Sequence, residues 1–312
     1  MTRGRSPQEI LSFRNPDEGT LRLASDAART HVWANELSGL PMAPQSEKQT
    51  STLSRWLRRL RRASRKLRWR VERRRLDNYR SHTLGRRAFL VGSGPSLEKL
   101  DLKMLDGEFV CVVNLGLRAV GTVIPHADMH VLNDVHCFDR YGEEIEDLVR
   151  RHNIKMRFLN QRLQAKWRRL DNRAARPVFV LVEESMVRLT GSIPPIEEGM
   201  ARGATVLISA ASLLKALGFA EVYVLGCDLD YDLPQKYAYT LSPQDEEHEQ
   251  SPEIRHRRGD MIHVNQEFAV MRAAFEQDGK TILNAGYGGN LHSLERVAFE
   301  SLFPGRPADS PR

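Results

Sequence analysis

The chain has 312 residues, 41% of them hydrophobic, which suits one large domain with an extension and a real buried core. Its formal net charge of +7 is an uneven average: twelve Lys/Arg and one acid stand between Arg55 and Arg75, a local +11, so the remainder is net acidic and the basic character belongs to one segment. The three cysteines, Cys111, Cys137 and Cys227, have neither metal-type nor redox-type spacing, and the N-terminus has no apolar core of signal-peptide length. With no run near the ~18–20 apolar residues of a bilayer span, this argues against a disulfide scaffold or a transmembrane anchor and for a reducing, cytoplasmic setting.

Residues 1–50 are polar and carry prolines at 7, 16, 41 and 44, which predicts a loosely ordered arm with a short helix around Gly19–Leu37. Residues 51–82 form the basic segment, where Leu53, Leu57, Leu60, Leu67 and Val71 recur at helical spacings with Trp56 on the same side. From Arg86 the texture changes to short apolar strands at Ala88–Val91, Phe109–Val113, Met129–Leu132, Lys155–Leu159, Pro177–Val182, Val222–Leu225 and Thr281–Leu283. Helices are predicted at Ile145–Arg151, Thr205–Leu217 and His263–Glu276, and residues 303–312 as a frayed tail. Alternating strands and helices predict a Rossmann-like α/β domain over 86–300, a mostly parallel sheet covered on both faces, with its ligand at the carboxyl ends of the strands.

The strand ends therefore carry the chemistry. Gly92-Ser93-Gly94-Pro95-Ser96-Leu97 follows a strand and precedes a helix start, where glycines allow close backbone approach and a helix N-terminus favours a phosphate. Leu97 in place of a third glycine excludes a dinucleotide fingerprint, and no Gly-Lys-Ser/Thr completes a Walker loop. Asn114 and Asn133 end the next two strands, suited to hold a ribose or base edge, with Asp134 and His136 just beyond. Asp228 follows Gly226 after a later strand, and Tyr231, Tyr237 and Tyr239 lie in the loop after it. A tyrosine there is as readily a half-buried packing residue as a donor to a leaving phosphate. His263 opens a helix after a charged loop, Asp245–Asp260, and from spacing alone reads as a surface residue. There is no HExxH, no CxxC pair and no GxSxG elbow; Asp228-Leu229-Asp230 has the spelling of a metal-binding Asp-x-Asp but stands directly after the strand-end glycine.

Taken in order, GxGPSL, two strands ending in Asn, a helix ending Leu-Gly-Phe, a strand running into Gly-x-Asp, tyrosines and a histidine at a helix start resemble the bacterial sialyltransferases of glycosyltransferase family 42. They resemble equally the domain-of-unknown-function-115 proteins, which include motility accessory factors and 6-hydroxymethylpterin diphosphokinase-like proteins; the wording Gly-Cys-Asp-Leu-Asp-Tyr stands closer to that group. The likeness covers Ala88 to Leu294. It implies a CMP-linked sugar donor, a nonulosonic acid, held by Gly92, Ser93, Gly94, Pro95, Ser96, Asn114, Asn133 and Asp228. It further implies Tyr237 and Tyr231 at the leaving phosphate, His263 as the base, and no cofactor or essential metal. The acceptor would be a glycan, lipid-linked or protein group of the cell envelope. Separately, the apolar positions and flanking arginines of residues 51–80 suit contact with an anionic inner-membrane face, the other readings being a helix packed on the body and a less favoured nucleic-acid contact. Two other readings stay open: an ATP- and magnesium-dependent pyrophosphokinase with Asp228 or Asp230 on the metal, and a non-catalytic nucleotide-binding module.

Overall fold

The computed structural model describes residues 52–230, 235–249 and 261–305. The arm over 1–50, Tyr231 and most of the tail lie outside these residues. The described residues begin with two helices, α1 (Thr52–Glu72), rich in arginine and leucine, and α2 (Arg74–Thr83), both without glycine or proline. Strands β1 (Arg87–Val91), β2 (Phe109–Val113), β3 (Met129–Leu132), β4 (Met156–Asn160), β5 (Val178–Val180), β8 (Glu221–Leu225) and β9 (Thr281–Asn284) form one sheet in the order β5-β4-β3-β2-β1-β8-β9. Every pairing in it is parallel. Such strands are buried on both faces, which is why they read as continuous apolar runs.

The helices α3 (Val135–Arg151), α4 (Gln164–Trp167), α5 (Val187–Thr190), α6 (Val206–Ala216), α7 (Pro243–Glu249) and α8 (Val264–Gln277) complete the domain. A small second sheet pairs β6 (Val182–Met186) with β7 (Met200–Arg202); the run predicted as one strand over Pro177–Val182 thus ends early and a second strand begins. Two apolar layers cover the main sheet. One joins Trp69, Leu76, α6 and α8; the other joins Leu97, Phe138, Phe299 and Phe303. Phe303, expected in the frayed tail, is buried and stacks on Phe89 at 5.7 Å, so the folded body runs past residue 300.

The strand order reverses beside β1, whose neighbours are β2 on one side and β8 on the other. In doubly wound sheets that reversal opens a crevice at the carboxyl ends of the strands. The loops after β1, β2, β3 and β8 all meet there. Among the described residues, no helix is long and apolar enough to cross a membrane.

Candidate active site

The glycine loop after β1 is held by β8 more than it is open to a ligand. The N–H of Gly92 donates to Leu225 O (2.8 Å) and that of Gly94 to Gly226 O (2.9 Å). A Cβ on Gly92 would lie 2.4 Å from Gly226 O, and one on Gly94 2.6 Å from the Asp228 carboxylate. Both glycines are thus required where two strand-end loops cross. The Asp228 carboxylate accepts the Ser96 N–H (2.9 Å) and the Ser96 hydroxyl. Pro95–Lys99 is a five-residue 3-10 turn, not the start of an α-helix. A helix dipole needs more length than that, and the protein's own carboxylate already occupies the turn's amino end. The phosphate seat expected from Gly94, Pro95 and Ser96 is therefore filled by Asp228. Asp228 is thus engaged by Ser96, and among the described residues no three His, Cys, Asp or Glu side chains are grouped as a metal would need.

A cavity of about 160 Å³ lies next to this brace, across the ends of β1, β2 and β3. Ser93 and Asn114 line it from the first two strand ends, Asp134 and His136 from the third, and Tyr237 and Tyr239 from the segment after β8. Ala238 N–H donates to Ser93 O (2.9 Å), which ties that segment to the glycine loop.

Asn114 is the most constrained residue of the cavity. Its φ of 45° is left-handed, a conformation that costs a non-glycine residue on the order of 1 kcal/mol or more and persists only when its surroundings impose it. Its carbonyl accepts the Nε2–H of His130 at 3.0 Å. Burial, reinforced by the nearby Arg157 charge, lowers the His130 pKa to about 3, so the imidazole is neutral. The Asn114 side-chain Oδ1 is buried with no hydrogen-bond partner among the described residues. An acceptor left bare in this way costs about 1–3 kcal/mol, which a ligand donor would recover.

The far wall is a charged latch. Arg118 grips Glu144 through two parallel bonds (2.7 and 2.8 Å) and reaches Asp245 at 2.9 Å. Its guanidinium lies over Tyr141 and Tyr239, at 5.0 and 5.6 Å from the ring centres. Burial alone would raise the Asp245 pKa, but bonds from Tyr141, Ser242 and Arg118 outweigh it and hold the carboxyl below the ordinary range. Ser242 and Asp245 also bond reciprocally, side chain to backbone in both directions, which starts α7. The Tyr141 hydroxyl is pushed up to about 12 by burial and by Asp245, and α3 kinks at this residue. Tyr237 stacks on Tyr239 (centroids 5.2 Å apart) and donates its hydroxyl to Glu249 at 2.9 Å.

The remaining expected residues stand elsewhere. Asn133 donates to Ser209 Oγ (3.0 Å) and accepts from Asn160 (2.9 Å), a strand-to-helix brace outside the cavity wall. His263 is the N-cap of α8, one turn before Glu267, and does not line the cavity. Glu267 is fully buried, accepts the Ala204 N–H at 2.6 Å, and has its pKa raised by burial. The cavity thus gathers Ser93, Asn114 and Tyr237, while Gly92, Gly94, Pro95, Ser96, Asn133, Asp228 and His263 are not in its lining. Tyr231 falls outside the described residues. Arg118, Tyr141 and Asp245 were not foreseen. For Asp245 a signal existed, since Ser242-Pro243-Gln244-Asp245 spells a capping box that the reading of Asp245–Asp260 as a loop passed over.

No protein-family model matches the chain, and no curated protein matches it. Solved structures with a similar fold include the Maf glycosyltransferase of Magnetospirillum magneticum AMB-1, with 15% identity over 70% of this chain and a TM-score of 0.45. The chain spans about a third, 34%, of that protein's length. They also include two Campylobacter jejuni sialyltransferases. Cst-I has 14% identity over 68% of this chain and 79% of its own, with a TM-score of 0.48. CstII, in complex with cytidine-5'-monophosphate, has 11% identity over 69% and 86%, with a TM-score of 0.43.

Proposed function

We propose that the chain is a glycosyltransferase that takes a sugar from a CMP-linked donor, a nonulosonic acid in the reading of the sequence, and passes it to a hydroxyl of a cell-envelope glycan, lipid-linked or protein acceptor. The observation that carries this reading is the bare, buried Oδ1 of Asn114 in a cavity shared with Ser93 and Tyr237. Three residues that the sequence pattern assigns to donor binding, from three separate stretches of chain, face one space.

The charge of the cavity favours a monophosphate over ATP or a diphosphate sugar. Its one described arginine, Arg118, is already shared by Glu144 and Asp245, and Asp134 and Glu249 add further carboxylates to the wall. A triphosphate brings several negative charges that would need free cations or a metal to offset them. The phosphodiester of a CMP-sugar carries one, which neutral donors can satisfy, and the carboxylate of a nonulosonic acid lies on the sugar, outside the cavity. In this arrangement the nucleoside sits between Ser93, Asn114 and the Tyr237–Tyr239 stack. Tyr237 turns its hydroxyl from Glu249 to the leaving phosphate, with Tyr231 as its companion. The cavity's volume is well below the ~300 Å³ of an ordinary small-molecule site, so the sugar projects beyond it toward the acceptor. There the acceptor oxygen attacks the anomeric carbon and the bond to the phosphate oxygen breaks. The acceptor's proton passes to His263, and CMP leaves.

Thermal unfolding with CMP, UMP, CDP and ATP, with and without magnesium, tests this. A ligand at ~100 times its dissociation constant adds about 2.7 kcal/mol. CMP is expected to stabilise wild type without magnesium and ATP is not. Asn114→Gly keeps the left-handed backbone and removes only the amide, and it should weaken CMP binding by roughly 5- to 100-fold. Stabilisation by ATP and magnesium alone would replace this reading with the pyrophosphokinase one.

A further inference from the structure

The apolar stripe of α1 faces away from the body of the protein. Trp56, Leu60, Leu67 and Val71 are each about half exposed or more (56%, 47%, 63% and 62%). At 100° per residue they fall within a 60° arc of the helix. What packs inward is the opposite side. Trp69 is fully buried and donates its indole N–H to Ile196 O (2.8 Å), Arg65 pairs with Glu184, and Glu72 accepts from Arg176. Exposed Lys66 and Arg70 lie on one side of the stripe and Arg68 on the other.

The direction of α1 adds a second observation. Gln161, just past the carboxyl end of β4, donates to Arg65 O, whereas Glu72 and Arg75 meet Arg176 and Pro177 at the amino end of β5. α1 therefore runs antiparallel to the strands. From Arg65 back to Ser54 it continues for about 16 Å, at 1.5 Å per residue, on the side of the sheet where the carboxyl ends lie.

We propose that α1 docks the protein on an anionic lipid surface, its Trp56–Val71 stripe in the headgroup layer and its basic flanks on lipid phosphates. An apolar stripe of one tryptophan, two leucines and a valine with basic residues on both flanks is what an in-plane interfacial helix needs: burial for the apolar face and counter-ions for the flanks. A nucleic acid matches the charge but gives Leu60, Leu67 and Val71 nothing to enter. Docked in this way, the helix brings the strand-end edge close to lipid-linked acceptors. That consequence rests on the proposed transferase reading; the docking itself does not.

Flotation of the full chain with phosphatidylcholine vesicles, with and without phosphatidylglycerol, tests the proposal in the absence of any nucleotide, so its failure is separate from failure of the transferase reading. Wild type is expected to float with the anionic vesicles only, and less at high salt. Replacing Trp56, Leu60, Leu67 and Val71 together by glutamine should lower binding at least tenfold. Lys66→Gln/Arg68→Gln/Arg70→Gln should lower it on the order of 100-fold, at roughly fivefold per basic residue. Both variants retain Trp69 and should melt at the wild-type temperature. In wild type the vesicles should also shift tryptophan emission to the blue, and Trp56→Phe should remove that shift. The proposal is overturned if wild type stays out of the anionic vesicles, or if the glutamine variant floats as well as wild type. Tight duplex-DNA binding that needs the charges but not the stripe, or a stripe-dependent dimer in light scattering without lipid, would likewise replace it.

Discussion

Asp228 takes both the backbone N–H and the hydroxyl of Ser96, and so closes the loop after β8 onto the loop after β1. The site is built beside this lock. Gly94 sits directly beneath it, and a methyl group there meets the Asp228 carboxyl carbon at 2.6 Å and Gly226 O at 2.8 Å. Gly94→Ala is expected to lower stability by about 1–3 kcal/mol, as overpacking against backbone does. Gly116, on the next strand-end turn, has 3.8 Å of clearance and ordinary backbone angles, so Gly116→Ala should be close to neutral. Denaturant midpoints of the two variants side by side check this. Equal stability of both would mean that the loops are not in contact as described.

Arg118 joins three parts of the cavity wall: its own turn after β2, Glu144 on α3, and Asp245 on α7. Arg118→Leu leaves Asp245 with its hydrogen bonds but no counter-charge in a largely buried setting. The loss is expected to be about 3 kcal/mol, near the low end for breaking a buried pair. Its local sign should be proteolytic cleavage in the 237–249 segment, and donor KM should rise because Tyr237 and Tyr239 are carried by that segment. Unchanged proteolysis would show that α7 is held by other contacts.

The fold was largely legible because its strands are short, β-branched, apolar on both faces and closed by glycine or asparagine; β2 and β3 keep their predicted bounds residue for residue. What was not legible depends on contacts across the fold. α3 begins ten residues before the predicted Ile145, at a start that Asp134 caps by accepting from the His136 and Cys137 N–H groups. Ser96 reads as part of an anion-binding helix start until Asp228, 132 residues away, is found on it. Trp69 stands among arginines on the side of α1 opposite the leucines, and only its bond to the Ile196 carbonyl shows which way that helix faces. Within the site, Asn114 was legible as a strand-end residue, but its left-handed angle and bare oxygen were not.

His130 gives the fold a pH dependence of predictable sign. It is fully buried, opposite Arg157 on the neighbouring strand, with Glu146 paired to that arginine. Its folded pKa is lowered to about 3, first by burial and then by Arg157. As pH falls below its ordinary ~6.5, the unfolded chain takes a proton that the native state does not. Stability is therefore complete above ~6.5 and declines toward pH 3, by an order-of-magnitude 1.4 kcal/mol per unit. Urea midpoints at pH 7, 5.5 and 4.5 should fall steadily in wild type and much less in His130→Gln. A parallel fall in both would assign the slope to other groups.

The last prediction separates two histidines. His136 lines the strand-end cavity near the amino end of α3, whereas His263 stands at the start of α8, beside the buried carboxylate Glu267 whose pKa it helps to lower. A base for the acceptor hydroxyl belongs at the anomeric carbon, beyond the phosphate, and so not within the nucleoside cavity. In the proposed reaction His263, one turn before Glu267, takes that role. His136 instead has the position of a nucleotide contact. His263→Ala should lower kcat on the order of 10²–10⁴-fold and leave CMP binding nearly intact, the usual effect of losing a general base. His136→Ala should raise the CMP dissociation constant several-fold, with a much smaller change in kcat at saturating donor. The pH profile is the sharper readout: the acidic limb of kcat, set by protonation of the base, should vanish in His263→Ala and remain in His136→Ala. If the limb survives in His263→Ala and disappears in His136→Ala, the base is His136, and the donor must lie with its sugar, not its nucleoside, against the wall of Asn114.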